Sequence, residues 1–377
     1  MDIVSSAIGF LTGTLVPFLV VLTIVVFVHE MGHYLVGRWC GIRVLTFSVG
    51  FGPELVGFND SRGTRWKISA IPLGGYVKFF GDENAASVPD NAEVAAMSEA
   101  DRARSFPGAS LWRRAATVAA GPIANFILAI AIFSVAFGVN GRMIADPVVA
   151  EVRAESAAAA AGVAPGDRFL AIDGHPVETF DDVRRYVGVR PDVPIRVTME
   201  RAGQPVELSL TPVRTEITDR FGNKMEVGQI GVVTNNETAN FRVKTYGPVE
   251  AVGQGVQESW FIVTRTFGYI GNIITGREKA DQLGGPIRVA QVSGQMATLG
   301  VGALIQLAAV LSVSIGLLNL MPVPMLDGGH LVFYALEGIR GRPLGDTTQE
   351  WAFRLGLTAV LALMLFATWN DVSSLIG

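Results

Sequence analysis

His29-Glu30-Met31-Gly32-His33 brings two imidazoles and a carboxylate into one pentapeptide. On a helix, positions i and i+4 share a face about 6 Å apart along the axis, so both rings can reach one cation. Zinc accepts imidazole nitrogen at about 2.0–2.1 Å, and Glu30 beside the pair can take a proton from water that the metal activates. With 4 histidines in 377 residues (His29, His33, His175 and His330), this spacing is informative. A catalytic zinc also needs a third protein ligand and an open position. Asp327 is the candidate, in Asn319-Leu-Met-Pro-Val-Pro-Met-Leu-Asp327-Gly-Gly-His330. Pro322 and Pro324 cannot continue a regular helix, so the chain breaks just before this carboxylate. Broken backbone at membrane depth is tolerated only where protein or a wet cavity covers it. His330 is the alternative ligand, read here as supporting or structural because a carboxylate completes a known zinc-hydrolase set. His175 reads as a solvated turn residue.

These residues need elements to hold them, and the elements are membrane spans. Half the residues are hydrophobic and 17% are charged, against roughly a quarter charged in an ordinary globular chain. The net charge of −4 argues against a nucleic-acid partner, and the single Cys40 excludes a disulfide framework or a multi-cysteine metal site. Four stretches reach the roughly 20 apolar residues that cross a bilayer. The expected organisation is a first span in 1–36 carrying His-Glu-x-x-His, a loop 37–114 with membrane-associated strands in 43–80, and a second span 115–139. A PDZ-like domain follows in 140–230, then an interfacial helical region 231–300. The third span, with its Asn-x-x-Pro-x-Pro-x-Leu-Asp-Gly sequence, falls in 301–336, a short loop in 337–352, a fourth span in 353–369 and a tail in 370–377. The fold class is thus a multi-pass α-helical membrane protein of four transmembrane helices, with a membrane-associated β-region and one extracytoplasmic PDZ-like α/β domain.

Basic residues orient it. Segment 37–114 holds ten Lys or Arg and 337–354 three, whereas 1–36 and 370–377 hold none. Both loops are therefore expected in the cytoplasm, with both termini and the 140–300 segment outside. Residues 83–104, rich in Ala, Asp and Glu, read as a loop. Within 145–215 the expected elements are strands at 148–152 and 168–172, a helix at 180–187, and a hairpin of 195–200 with 206–210 across Ala202-Gly203. The apolar 246–276, interrupted by glycines and Arg265, reads as an interfacial helix rather than a fifth span.

The two metal motifs, with Ile71-Pro-Leu-Gly-Gly-Tyr-Val-Lys78, Gly121-Pro-Ile-Ala-Asn125-Phe and Leu283-Gly-Gly-Pro-Ile287, make the chain resemble the site-2 protease family of intramembrane zinc metalloproteases. Within that family the likeness is to the bacterial regulator of sigma-E protease group, in a form with room for one PDZ domain rather than two. The resemblance implies that His29, His33 and Asp327 bind one zinc and that Glu30 is the general base. It implies that Asn319 lies near the substrate backbone; Asn125, mid-membrane in the second span, either does similar work or bonds a neighbouring helix. It further implies an inner-membrane protein with its site near the cytoplasmic side. The substrates would be single-span membrane proteins, such as anti-sigma factors trimmed first by a site-1-type protease, and signal-peptide remnants.

A peptide bond inside a transmembrane helix is already hydrogen-bonded and must be unwound before it is cut. An exposed edge around Ile68–Gly75, including Gly74, is expected beside the zinc to take the substrate by strand addition. The competing readings are a transporter or channel, whose expected internal repeats are not visible, and a non-catalytic membrane-protein scaffold with a PDZ domain.

Overall fold

The computed structural model describes residues 9, 11–82, 96–218, 224–235, 240–277, 280 and 284–376. A π-helical turn at Leu11–Leu15 leads into α1 (Val16–Trp39), followed by strands β1 (Val44–Asn59) and β2 (Arg65–Phe79), then α2 (Leu111–Val139). Short strands β3 (Arg142–Ile144), β4 (Glu151–Val152), β5 (Arg168–Ile172) and β6 (His175–Pro176) come next. They are followed by α3 (Phe180–Gly188) and by β7 (Ile195–Arg201), β8 (Gln204–Leu210), β9 (Val213–Thr218), β10 (Lys224–Gln229), β11 (Val232–Val233) and β12 (Arg242–Lys244). The chain ends in α4 (Pro248–Ile274), α5 (Pro286–Thr298), α6 (Val301–Asn319), α7 (Asp327–Arg340) and α8 (Asp346–Ile376). It divides into two compact units, Met1–Ser134 with Val252–Val263 and Leu283–Gly377, and Val135–Ala251 with Thr264–Gln282.

Four helical segments among the described residues are long and apolar enough to cross a membrane: Leu11–Trp39, Leu111–Val139, Val301–Asn319 and Thr347–Ser373. Periodicity shows how α1 is used. Val16, Val20, Ile24 and Phe27 form one exposed apolar stripe, while Phe18, Val21, Val25, His29, Gly32 and His33 are buried on another. The buried stripe continues from packing residues into the metal motif, so helix packing itself presents the histidines.

Several boundaries differ from expectation. The second span starts at Leu111, four residues before 115, because Trp112-Arg113-Arg114 extends the helix outward. The third segment, expected as 301–336, is two helices: α6 ends at Asn319 and α7 starts at Asp327, with the prolines between them. The loop expected at 337–352 shrinks to 341–345, since α7 runs to Arg340 and closes on Gly341 at φ +68°. The span expected at 353–369 and the tail at 370–377 merge in α8. Asp371 explains the continuation: it is buried and accepts from Gly285 N at 2.8 Å and Arg288 N at 3.0 Å, so it caps α5 and does not end its own helix. Most of the loop expected at 83–104 lies outside the described residues; at its end Glu99–Arg102 forms one helical turn capped by Ser98.

β1 and β2 curl into more than a simple hairpin. The segment Gly75–Phe79 pairs with Val44–Val49, while Arg65–Ile68 has partners on both sides, Thr46–Val49 and Val56–Asn59. The bend between Ile71 and Gly75 passes through Gly74 at φ +117°, a conformation glycine permits. Asp60 pins the turn to the end of α1. It accepts from Trp66 Nε1 (3.1 Å), Tyr34 Oη (3.2 Å), Arg62 N (2.8 Å) and Thr64 N (2.9 Å). Burial pushes its carboxyl up, but these hydrogen bonds outweigh that and hold its pKa at about 2.

The second unit is a small α/β body around Phe169, Ile172, Val183, Val187, Ile195, Val197 and Met199. Its four-stranded sheet runs β6-β5-β7-β8. β7 and β8 meet across Ala202-Gly203, at φ +50° and +81°, as a two-residue hairpin whose handedness matches strand twist. A Thr179–Asp182 capping box starts α3. The strands reach beyond the expected 140–230: β11 pairs with β4 and β12 with β3. Residues 231–300 are therefore not helical throughout, because two- and three-residue strands gain their order from distant partners that no local pattern announces. α4 spans Pro248–Ile274.

Candidate metal centre

The two histidines stand at a crossing of α1 and α2 that only small residues permit. A Cβ at Gly32 would run into the Ala120 carbonyl oxygen and the Ala124 methyl; one at Gly121 would fall on His33 Nε2 and 2.9 Å from His29 Nε2. The two backbones therefore approach closely, as membrane helices do where glycine lines the interface. The His29 and His33 rings stand edge to face, centroids 4.8 Å apart, with their Nε2 atoms at 3.1 Å.

Asp327 arrives from the break between α6 and α7. Gly328 and Gly329 are buried under the loop: a Cβ on the first would meet the Leu320 and Met321 carbonyls, and on the second the Val323 carbonyl. The Pro-x-Pro segment thus folds back over the start of α7, Met325 takes φ +85°, and the carboxylate is left at the first helical residue. Arg114 ties α7 to α2 through Glu337 at 2.6 Å and lies 4.9 Å from the Tyr334 ring centroid.

Asp327 Oδ2 lies 3.1 Å from His29 Nε2 and 3.6 Å from His33 Nε2, without hydrogen-bond geometry to either. Tetrahedral bonds of about 2.0–2.1 Å separate ligand atoms by about 3.3–3.4 Å, so the three separations bracket a zinc site. The donor chemistry agrees. His33 Nδ1 is 2.9 Å from the Thr117 carbonyl oxygen, which can only accept, so Nδ1 carries the proton and Nε2 turns its lone pair inward. Lone pairs converging on an anionic oxygen repel unless a cation lies among them. His29, His33 and Asp327 form the group among the described residues that can hold a metal ion.

Glu30 is half-buried beside the cluster and within hydrogen-bond reach of the Val77 backbone N–H. A Cβ at Gly75 would sit 3.2 Å from Glu30 Cγ. The segment against the carboxylate is therefore Gly75–Val77. Ile68, expected on the free edge, has strand partners on both sides, Val49 and Val56, because the hairpin curls on itself; Gly74 abuts the Phe51 ring instead. Asn125 is fully buried, with Nδ2 3.3 Å from His29 Nδ1. Asn319 ends α6, half-buried, and among the described residues no hydrogen bond joins it to the cluster. His330 packs edge-on or tilted among Phe333, Tyr334 and Phe353, at centroid distances of 6.4, 6.4 and 5.4 Å. Sequence reasoning missed Thr117, Gly32 and Val77. Two of these act through backbone, which leaves no side-chain signal; Gly32 alone offered one, as the small residue within His-Glu-x-x-His.

An apolar four-span helical scaffold with two histidines, a carboxylate and a neighbouring glutamate defines an integral membrane protein of metallohydrolase type. The chain belongs to peptidase family M50, whose model matches residues 17–363. It is 69% identical, over all of both chains, to an Agrobacterium fabrum protein provisionally named a zinc metalloprotease. A Rhizobium meliloti protein with the same provisional description is 64% identical over 97% of each chain. The metalloprotease MmpA of Caulobacter vibrioides is 40% identical, over 97% of this chain and 96% of its own. Among solved structures, a PDZ domain of the SdrC-like protein from Listeria monocytogenes aligns with 22% of this chain and 82% of its own, at 16% identity and a TM-score of 0.18, too slight to bear on the fold.

Proposed function

We propose that this chain is a zinc-dependent intramembrane endopeptidase of the site-2 type, cutting transmembrane segments of single-span membrane proteins. The observation that carries the reading is the convergence of His29 Nε2, His33 Nε2 and Asp327 Oδ2 beside Glu30. Zinc held by that set supplies Lewis acidity, making water a nucleophile near neutral pH and polarising a peptide carbonyl. The Glu30 carboxylate takes a proton from the attacking water and delivers it to the leaving amide nitrogen. The Val77 backbone N–H lies within hydrogen-bond reach of that carboxylate.

The substrate helix must first be opened, since its N–H and C=O groups are paired internally. Gly75–Phe79 pairs with Val44–Val49 on one side, and Gly75 lies close against Glu30 of α1. Backbone groups around Leu73–Gly75 would pair with an extended substrate stretch and replace the helical bonds it gives up. Asn319, at the end of α6, would hold the substrate or its developing oxyanion. The β6-β5-β7-β8 unit is read as a PDZ-like filter, outside the cytoplasm, that rejects untrimmed ectodomains. The resulting pathway is cleavage after a first external cut, in a bacterial inner membrane, on substrates such as anti-sigma factors or signal-peptide remnants.

The test compares wild type with Glu30→Gln, purified in detergent, for zinc content and for cleavage of a tagged single-span substrate. One equivalent of zinc in both and cleavage by wild type alone is expected. Wild type without stoichiometric zinc, or cleavage by Glu30→Gln, would overturn the assignment.

A further inference from the structure

The two histidines have different partners behind them. His33 Nδ1 faces a backbone carbonyl, which fixes its tautomer whatever the side chains are. His29 Nδ1 faces a side-chain amide, that of Asn125, at 3.3 Å. For His29 Nε2 to offer a lone pair to zinc, Nδ1 must carry the proton and needs an acceptor. The group within reach is the Asn125 amide, which as placed presents Nδ2. Its Oδ1 is buried and has no hydrogen-bond partner, so a half-turn about Cβ–Cγ brings oxygen to Nδ1 without breaking another bond of that oxygen.

The backbone around Asn125 cannot drift. Its carbonyl accepts from Ser312 Oγ of α6 at 2.8 Å, and Gly316 packs so closely that a Cβ there would lie 3.2 Å from Asn125 Cβ. Thr117, Gly121 and Asn125 recur every four residues, so one stripe of α2 carries the His33 acceptor, the gap for both rings and the amide behind His29.

We infer that Asn125 is a positioning residue of the metal centre, whose side-chain oxygen receives the His29 Nδ1 proton and fixes the ring that offers Nε2 to zinc. This rests on the zinc-site reading above. It assigns Asn125 to the ligand rather than to the substrate, so its loss acts on metal affinity before any substrate is present.

The experiment measures zinc affinity of detergent-purified protein by competition with a chelator, together with the absorption spectrum of the cobalt-loaded form. Asn125→Leu removes the acceptor at similar volume; Asn125→Asp keeps an acceptor of the same shape. Zinc affinity should fall roughly 10–100-fold in Asn125→Leu, with an altered cobalt spectrum, and stay within about threefold of wild type in Asn125→Asp. If Asn125→Leu does not accumulate as folded protein, Asn125→Ala carries the same comparison. Wild-type affinity in the Leu or Ala variant, or an Asp variant as weak as they are, would overturn the inference. Absence of stoichiometric zinc in wild type would instead overturn the zinc-site reading, which keeps the two failures apart.

Discussion

Replacing Gly121 with alanine puts one methyl group against the metal centre. On the existing backbone that Cβ would fall on His33 Nε2, 2.5 Å from His33 Cε1 and 2.9 Å from His29 Nε2. Carbon contacts settle at about 3.5–4.0 Å, so the His33 ring must retreat by roughly 1 Å. A metal–ligand distance tolerates about 0.2 Å. Neither ring has slack to absorb the difference, because Thr117 holds His33 Nδ1 and Gly32 already lies against Ala120 and Ala124. His33 therefore leaves the ligand set. Losing a group that merely supports a ligand costs 10–100-fold, so losing the ligand should cost more than about 100-fold, or about 2.8 kcal/mol. The assay is zinc competition against a chelator, paired with melting of the zinc-stripped protein. The stripped form should lose only the overpacking cost of about 1–3 kcal/mol. Gly253→Ala on α4, where a Cβ meets open space, is the matched control. It should gain roughly 0.5–1 kcal/mol and bind zinc normally. Wild-type zinc affinity in Gly121→Ala would refute the reasoning that α2 is a fixed wall behind the histidines.

Other outcomes follow from the hairpin. Leu73 is exposed at the bend of β2, so Leu73→Pro removes one backbone donor without emptying the core. Cleavage of a single-span substrate should fall at least about fivefold with zinc content unchanged, given roughly 1 kcal/mol for a lost main-chain hydrogen bond; undiminished cleavage would remove the strand-addition step. Asp60 predicts a pH effect. Its folded pKa of about 2 lies below the ordinary 3.8, so its contribution to stability is complete above about pH 4 and is lost as pH falls through 2. Melting temperature of the metal-stripped protein should drop across that window, and Asn at position 60 should flatten the drop. An unchanged pH profile would show that the turn does not depend on the ionised carboxylate.

The sequence points to the His29, His33 and Asp327 cluster more fully than to its surroundings, for a physical reason. His29 and His33 are legible because helical periodicity is local, and Asp327 because two prolines dictate a break wherever they occur. The edge beside Glu30 was misjudged at Ile68, since Arg65–Ile68 pairs with both Thr46–Val49 and Val56–Asn59. Double pairing of one stretch depends on how the hairpin closes on itself, which alternation along either strand does not encode. Asp371 falls in the segment expected as a tail, 370–377, yet its carboxylate is satisfied by the amides of Gly285 and Arg288, 83 or more residues earlier. Asn125 was visible as an amide in an apolar helix. Whether it faces substrate or His29 depends on the rotation of α2 against α1, which the glycines set.

That dependence on glycine ties chemistry to packing. Between membrane helices there is little hydrophobic drive, so close van der Waals approach does the work of association. Here the close approaches fall at Gly32 against Ala120 and Ala124, Gly121 against both imidazoles, and Gly316 against Asn125. The residues that let α1, α2 and α6 pack are thus the ones that bring the candidate ligands and their hydrogen-bond partners into range. A side chain added at Gly121 displaces the imidazoles directly and one at Gly32 meets the Ala120 carbonyl that fixes the crossing, whereas one added at Gly253 meets open space and touches neither.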